Sequence, residues 1–154
     1  APPDTPNWLD WLEDADQSLR LRLAAGSQKE NHRLLHCDYH PLNVLTDGNR
    51  ITGVLDWTNA LAGDPRADVA RTVTILRLDS GPPSFAKSLL LWLFEGGWRR
   101  GYIQAGGTLP DMARFNLWAG MVMTEDLAAK RSPAHLARIH RWVARWRARL
   151  GWDA

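Results

Sequence analysis

Apolar residues recur at helical spacing along most of this chain. Near the N-terminus, an apolar stripe advances in steps of three and four residues. Its members are Trp8, Leu12, Ala15, Leu19 and Leu23. The stripe predicts a first helix that begins at Thr5-Pro6 and ends near Gly26, because threonine caps helices, proline suits their first turn and glycine ends them.

The second half of the chain has the same kind of pattern, broken by glycine, proline and capping residues. It predicts helices over 64–78, 84–104, 110–131 and 133–150. Asp64 and Ser132 each precede a proline, so both are expected caps. The segment 84–104 is apolar on most sides, which predicts a central buried helix.

One short region has the pattern of strands instead. Residues 43–46 and 51–55 are β-branched and apolar, and Asp47-Gly48-Asn49 between them is a strong hairpin signal. The chain is therefore predicted to be an α+β fold, mainly α: a helical bundle with a small β-hairpin, forming a single domain over 1–154.

The residues best suited to chemistry flank this hairpin. Asp38 precedes Asn43 on an irregular loop, and Asp56 follows the second strand. A carboxylate within reach of a hydroxyl can accept its proton, and amide and carboxylate oxygens suit Mg²⁺. The hairpin returns the chain so that Asp56 lies beside Asn43, which is the layout of a phosphoryl-transfer site.

Three motifs in order resemble the aminoglycoside phosphotransferase/choline kinase family, whose members have a protein-kinase-like fold. They are His36-x-Asp38-x-x-x-x-Asn43, then Asp56-Trp57, then Gly63-Asp64-Pro65-x-x-Asp68. The resemblance implies that Asp38 is the catalytic base, with Asn43 also in the catalytic loop, and that Asn43 and Asp56 hold Mg²⁺. ATP would be the co-substrate and a small-molecule alcohol the acceptor.

The same resemblance gives other residues of the loop a supporting role. His36, His40 and Asp68 would hold the catalytic loop in shape rather than react. Cys37 stands where the family usually has glycine, so the loop must accept a side chain there.

A kinase of this class also needs a lobe that covers the nucleotide with a glycine-rich loop and a strand lysine. Residues 1–35 contain no glycine-rich loop, and Lys29 lies in a polar link. The chain also does not begin with methionine. We therefore expect the C-terminal lobe alone, the missing N-terminal lobe belonging to the same polypeptide, and little kinase activity from this piece by itself.

Two other functions stay open at this stage. A catalytically silent relative would use the same fold as an interaction module. A metal-dependent hydrolase would use the alternating residues His36, Asp38 and His40 as metal ligands. The acceptor of a kinase is not identified by the sequence, although four acidic residues of the later helices could line its pocket: Glu95, Asp111, Glu125 and Asp126.

Composition narrows the partners and the compartment. The net charge of +2 is too small to imply nucleic acid, and no run of apolar residues is long enough to span a membrane. The last helix is rich in arginine, but its apolar stripe favours core packing with a solvated basic face. Cys37 is the single cysteine, which excludes an internal disulfide and fits a cytoplasmic protein.

Overall fold

The computed structural model describes residues 1–12, 15, 17–27, 33–79 and 84–152. Helices make up most of the described chain. They are α1 (Gln17–Ala24), α2 (Pro65–Thr74), α3 (Phe85–Gln104), α4 (Met112–Leu127) and α5 (Pro133–Leu150). The strands are short: β1 (Arg33–Leu35), β2 (Val44–Thr46), β3 (Ile51–Val54) and β4 (Leu61–Gly63). The predicted mainly helical fold with a small hairpin is confirmed.

Two antiparallel pairs of strands frame the region between residues 33 and 63. β2 pairs with β3, with Val44 opposite Val54, and Gly48 supplies the positive φ of 94° that the tight turn requires. β1 pairs with β4, with Leu35 opposite Leu61. The second pair was not predicted, because strands of three residues are too short to show an alternating pattern.

The N-terminal stripe packs as predicted, but not as one helix. Trp8–Trp11 is a 3₁₀ turn capped by Asn7, whose side chain accepts a hydrogen bond from Leu9 N at 3.0 Å. The backbone leaves helical geometry at Leu12 (φ −95°, ψ 78°), so the expected helix through 5–26 is wrong. Residues 13, 14 and 16 of the predicted helix lie outside the described residues.

The main core forms around Trp8. Its ring lies 5.4 Å from Phe115 and 5.0 Å from Trp118, centroid to centroid, and Trp118 Nε1 donates to Trp8 O at 3.1 Å. The backbone of β4 crosses the same ring so closely that a Cβ on Gly63 would come 2.4 Å from Trp8 Cδ1. Leu12 and Leu23 are buried in the same cluster.

Helix α2 begins as its sequence predicts. Asp64 accepts from Arg66 N at 3.0 Å, and Pro65 holds the first position. The Arg66 guanidinium returns to the Asp64 carboxylate with bonds of 2.9 and 2.6 Å, and both side chains are buried. Arg66 also donates to the Gly26 carbonyl at 2.7 Å. The pair therefore ties the start of α2 to the segment that follows α1.

The last two helices pack tightly against each other. Trp142 Nε1 on α5 donates to Asn116 O on α4 at 2.9 Å, and a Cβ on Gly120 would come 2.6 Å from Trp142 Cδ1. Ile139 and Trp142 are buried, whereas Arg141, Arg145 and Arg149 are exposed. The expected division of α5 into a packed stripe and a basic outer face is confirmed.

Helix α3 is not the central buried helix that its composition predicts. All residues of this helix are described, and Glu95 is the one among them that is buried. Arg77 donates two hydrogen bonds to its carboxylate, at 2.7 and 2.9 Å. Large apolar side chains face outward instead, with Phe85 87% exposed, Leu90 67% and Trp92 65%. A helix that is apolar on all sides does not specify its buried face, and here the buried carboxylate of Glu95 pairs with the exposed Arg77.

Between α2 and α3 the chain passes through a π-helical turn, Ile75–Asp79. This turn ends with Asp79 bonded to Arg131, with distances of 3.1 and 2.7 Å from its Oδ1. None of the described helices has the length and apolar character needed to cross a membrane.

Candidate active site

Helix α2 binds the backbone of the loop that follows β1. Asp68 accepts from His36 N at 3.1 Å and from Cys37 N at 2.8 Å, one bond to each carboxylate oxygen. Burial raises the pKa of Asp68 because it disfavours the charged form, and the two backbone donors partly oppose that rise. Cys37 between them has a left-handed φ of 61°. Asp68 thus binds two consecutive amides of the loop, and its predicted supporting role stays a prediction.

His36 connects this loop to the end of β3. Its Nδ1 accepts from Asp38 N at 3.2 Å, so Nε2 carries the hydrogen and donates to the Leu55 carbonyl at 2.8 Å. Both ring nitrogens are therefore engaged, which argues against His36 as a metal ligand. Across the described residues, no group of three or more His, Cys, Asp or Glu side chains could hold a metal ion.

The Asp38 carboxylate is positioned by two neighbours. Asn43 Nδ2 donates to Asp38 O at 3.0 Å and to Asp38 Oδ2 at 3.3 Å. His40 Nε2 lies 3.6 Å from Asp38 Oδ1, and its Nδ1 accepts from Leu42 N at 3.3 Å. Because the amide nitrogen of Asn43 faces Asp38, its Oδ1 is the atom that could bind a cation.

Asp56 lies beside Asn43 at the base of the hairpin. Leu55 N donates to Asn43 O at 2.8 Å, which extends the β2–β3 pairing by one step beyond Val44 and Val54. The Asp56 backbone is left-handed, with φ of 58°. Its Oδ1 accepts from Thr58 Oγ1 at 2.7 Å, and this bond holds the pKa of Asp56 below its usual value. An exposed carboxylate with a lowered pKa is a ligand type that fits the hard-oxygen preference of Mg²⁺.

Asp38 opens onto a cavity of about 440 Å³ between the loop and α4. His40, Asp79, Asp126 and Lys130 also line this cavity. Of the four acidic residues that the sequence offers for an acceptor pocket, Asp126 is the one that the described structure places here. Glu95 is buried against Arg77, Asp111 precedes α4, and Glu125 lines a different groove beside α5.

Sequence reasoning missed Arg71, which also lines the cavity. Its Nε donates to Cys37 O at 3.3 Å, and its NH2 donates to Asp126 Oδ2 at 3.0 Å. Asp68 and Arg71 lie one turn apart on α2, so they hold the amide and the carbonyl of the same cysteine. The one available signal was an arginine on the otherwise buried side of α2, three residues after Asp68.

Comparison with known proteins identifies the class. A sequence model described as the phosphotransferase enzyme family matches residues 1–118, and the chain belongs to that family. This confirms the resemblance to the aminoglycoside phosphotransferase group that the three motifs carry.

Individual relatives are similar over part of their length. Hygromycin-B 4-O-kinase of Escherichia coli is 38% identical over 76 residues, which is 46% of this chain and 22% of that protein. An uncharacterized protein of Bacillus subtilis (strain 168), YcbJ, is 49% identical over 43 residues, or 27% of this chain and 14% of that protein.

One solved structure has the same fold as this chain. It is a thermostable mutant of aminoglycoside phosphotransferase APH(4)-Ia, in ternary complex with AMP-PNP and hygromycin B. The TM-score is 0.57 at 24% identity, covering 96% of this chain and 44% of that one. The fold is therefore kinase-like, and the chain spans less than half the length of that relative.

Proposed function

We propose that this chain is the C-terminal lobe of an ATP-dependent kinase that phosphorylates a hydroxyl group of a small molecule. The observation that carries the proposal is the position of the Asp38 carboxylate on the wall of a 440 Å³ cavity. Asn43 Nδ2 donates to its Oδ2 at 3.3 Å and so orients it. Membership of the phosphotransferase family supports the reaction class. The proposal includes ATP as the co-substrate and a cytoplasmic location for the enzyme.

In this proposal, Asp38 binds the acceptor hydroxyl and takes its proton. The hydroxyl oxygen forms a bond to the γ-phosphorus of ATP, the bond from that phosphorus to the bridging oxygen breaks, and ADP leaves. Asn43 Oδ1 and the Asp56 carboxylate would hold magnesium, which supplies positive charge to the phosphates when it is bound. The chain contributes position and charge rather than covalent chemistry.

The supporting residues act through the loop. Asp68 binds the amides of His36 and Cys37, and His36 joins Asp38 N to the Leu55 carbonyl just before Asp56. His36 thereby links the proposed base to the proposed metal ligand. Its role is positioning, because its ring nitrogens bind the backbone.

An N-terminal nucleotide-binding lobe would be supplied by the same polypeptide. The 44% coverage of the kinase-like structure supports this, since the remainder of such a fold has no counterpart in the present chain. Apolar side chains of the hairpin region also stand exposed, including Leu42 at 86% and Ile51 at 57%. The 154-residue chain alone should therefore have little kinase activity.

The test is phosphoryl transfer by the longer protein with ATP and Mg²⁺ over a panel of alcohols. Asp38→Asn should lower kcat by about 10²–10⁴-fold, the usual contribution of a general base. Asp47→Asn is the matched control, because it makes the same change at an exposed turn that an asparagine can also form. Equal activity of the two variants would contradict the role of Asp38.

The assay also separates the alternative functions. A silent interaction module would show no Asp38-dependent transfer to any acceptor. A hydrolase would release inorganic phosphate or another product without a phosphorylated alcohol. Ordinary turnover by the 154-residue chain alone would contradict the need for a second lobe.

A further inference from the structure

Thr58 contacts Asp56 more closely than the turn between them requires. Asp56 caps the 3₁₀ turn Trp57–Asn59, and a cap of this kind needs only a backbone donor. That backbone bond, from Thr58 N to Asp56 Oδ1, is long at 3.4 Å. The Thr58 hydroxyl donates to the same oxygen at 2.7 Å. The short bond therefore acts on the carboxylate, because it adds no contact to the backbone of the turn.

The two bonds hold one oxygen of the carboxylate and leave the other available. Both end on Asp56 Oδ1, and no donor among the described residues bonds to Oδ2. An aspartate side chain turns about two torsions, and a bond to one of its oxygens restricts both. A carboxylate that is fixed through one oxygen presents the other in a defined direction, and carboxylates that bind metals are commonly hydrogen-bonded in this way.

The backbone on both sides of Asp56 is also anchored. His36 Nε2 donates to the carbonyl just before Asp56 at 2.8 Å, and Trp57 Nε1 donates to Val54 O at 3.0 Å. Rotation of the side chain is then the main freedom that the carboxylate has. Thr58 restricts that rotation, and because threonine is β-branched, its own hydroxyl has few orientations.

We propose that Thr58 is a positioning residue, whose hydroxyl holds the Asp56 carboxylate in the orientation that binds a divalent cation before any nucleotide arrives. The inference rests on the proposed function, because it concerns the magnesium ligand of that same site. Thr58 acts through Asp56 and is not itself a ligand. Partners of this kind contribute about 10–100-fold to metal affinity.

Binding of Mn²⁺ alone tests the inference without nucleotide or acceptor. Mn²⁺ prefers the same oxygen ligands as Mg²⁺, and its free concentration is measured by electron paramagnetic resonance. The metal is titrated into the 154-residue chain up to about 10 mM, a range that suits weak binding. We expect Thr58→Val to weaken binding by about tenfold or more. Thr58→Ser keeps the hydroxyl and should bind within about twofold of the wild type.

Thr46→Val is the matched control, because it makes the same change at another exposed position, on the hairpin that leads to Asp56. The Thr46 hydroxyl donates to Arg50 O at 2.9 Å and accepts from Gly48 N at 3.0 Å, so this variant also loses hydrogen bonds. Weaker Mn²⁺ binding in Thr58→Val but not in Thr46→Val would assign the effect to the carboxylate rather than to a looser hairpin.

Phosphoryl transfer by the longer protein gives a second measure. Thr58→Val should raise the Mg²⁺ concentration for half-maximal activity by about the factor found with Mn²⁺, and saturating Mg²⁺ should restore kcat to within about twofold. A lower kcat at every Mg²⁺ concentration, with an unchanged metal requirement, would indicate a purely structural role for Thr58 and contradict the inference.

The binding experiment has equally definite negative results. Equal affinity of the wild type and Thr58→Val for Mn²⁺, or no Mn²⁺ binding by the wild type over the whole titration, would overturn the inference. The two proposals fail separately. Absence of phosphoryl transfer, with Mn²⁺ binding that still depends on Thr58, contradicts the proposed function alone. Transfer that depends on Asp38, with a metal requirement independent of Thr58, contradicts this inference alone.

Discussion

Cys37 shows how a single residue is held in an unfavourable conformation. A side chain at φ of 61° costs about 1 kcal/mol or more relative to glycine, the residue that the family usually has there. Three contacts offset that cost: Asp68 binds its amide, Arg71 binds its carbonyl, and its side chain is fully buried. The backbone next to Asp38 is therefore fixed by α2 rather than by glycine.

The thiol of Cys37 should be unreactive in the folded chain. Burial, reinforced by the negative charge of Asp68, raises the pKa of Cys37 far above its usual value, so the thiolate fraction stays small at alkaline pH. A free cysteine ionises near pH ~8.5, and its alkylation by iodoacetamide accelerates through that pH. We expect almost no acceleration for the folded chain up to pH ~9, and ordinary cysteine kinetics in denaturant.

Mass spectrometry of the alkylated chain gives the rate at each pH. Cys37→Ala should show no incorporation, which establishes that the label reports this thiol. Equal rates in buffer and in denaturant would mean that Cys37 is accessible in the folded state.

The sequence predicted the residues of the three motifs, but it did not predict Arg71, which contacts the same loop. Asp38, Asn43, His36 and Asp68 meet around one loop as the motifs imply, although their catalytic and metal-binding roles stay predictions. Arg71 could not be predicted in the same way. Its partners, Cys37 and Asp126, lie far from it in the chain, and such contacts leave no local pattern.

Helix α2 organises the site at the scale of elements. Its first turn is fixed by the buried Asp64–Arg66 pair, and its next turn presents Asp68 and Arg71 to the loop. β4 leads into α2, so the distance between the backbone of β4 and the ring of Trp8 also affects the position of α2. We expect a change in that distance to displace the contacts of Asp68 and Arg71 with the loop.

Two glycine substitutions test this packing in opposite directions. Gly63→Ala places a Cβ 2.4 Å from Trp8 Cδ1 and should destabilise the chain by about 1–3 kcal/mol, as overpacked cores do. Gly96→Ala, on exposed α3 with no atom within 4 Å of the new Cβ, should stabilise it by about 0.5–1 kcal/mol. Urea unfolding followed by tryptophan fluorescence measures both. The same sign for both would contradict the close contact at β4.

Elements with a clear periodic pattern were predictable, and others were not. α5 has one apolar face and the hairpin has a turn signal, so the sequence specifies them, whereas α4 is buried at every position from 115 to 120. α3 has apolar residues on every face, and its inner face is the one on which Glu95 binds Arg77 and Trp98 packs against the core. The N-terminal stripe places Trp8 and Leu12 correctly in the core, but the backbone leaves helical geometry at Leu12 and so interrupts the predicted helix.

At the scale of the whole molecule, much apolar surface stays exposed. Along α3, Phe85, Leu90, Trp92 and Leu93 are all more than half exposed. Pro41, Val44, Leu93 and Trp98 also line an apolar groove of about 500 Å³ between α3 and the hairpin. Exposed apolar side chains that cluster on one surface often mark a contact with a partner.

The 154-residue chain should therefore bind the dye ANS and self-associate as its concentration rises. Leu90→Glu with Leu93→Glu should reduce both effects, because two charges then interrupt the apolar face of α3. Leu21→Glu is the matched control, since Leu21 is 63% exposed on α1. Sedimentation velocity gives the association, and a monomeric wild type without ANS fluorescence would contradict the exposure of α3.

The π-helical turn Ile75–Asp79 has a consequence for comparing relatives of this chain. Such a turn contains an extra residue relative to an α-helix, and loss of that residue would rotate the downstream part of the turn by about 100°. Asp79 would then leave the cavity wall and its bond to Arg131. A one-residue gap at this point of an alignment thus marks a change in the shape of the cavity rather than a neutral difference in length.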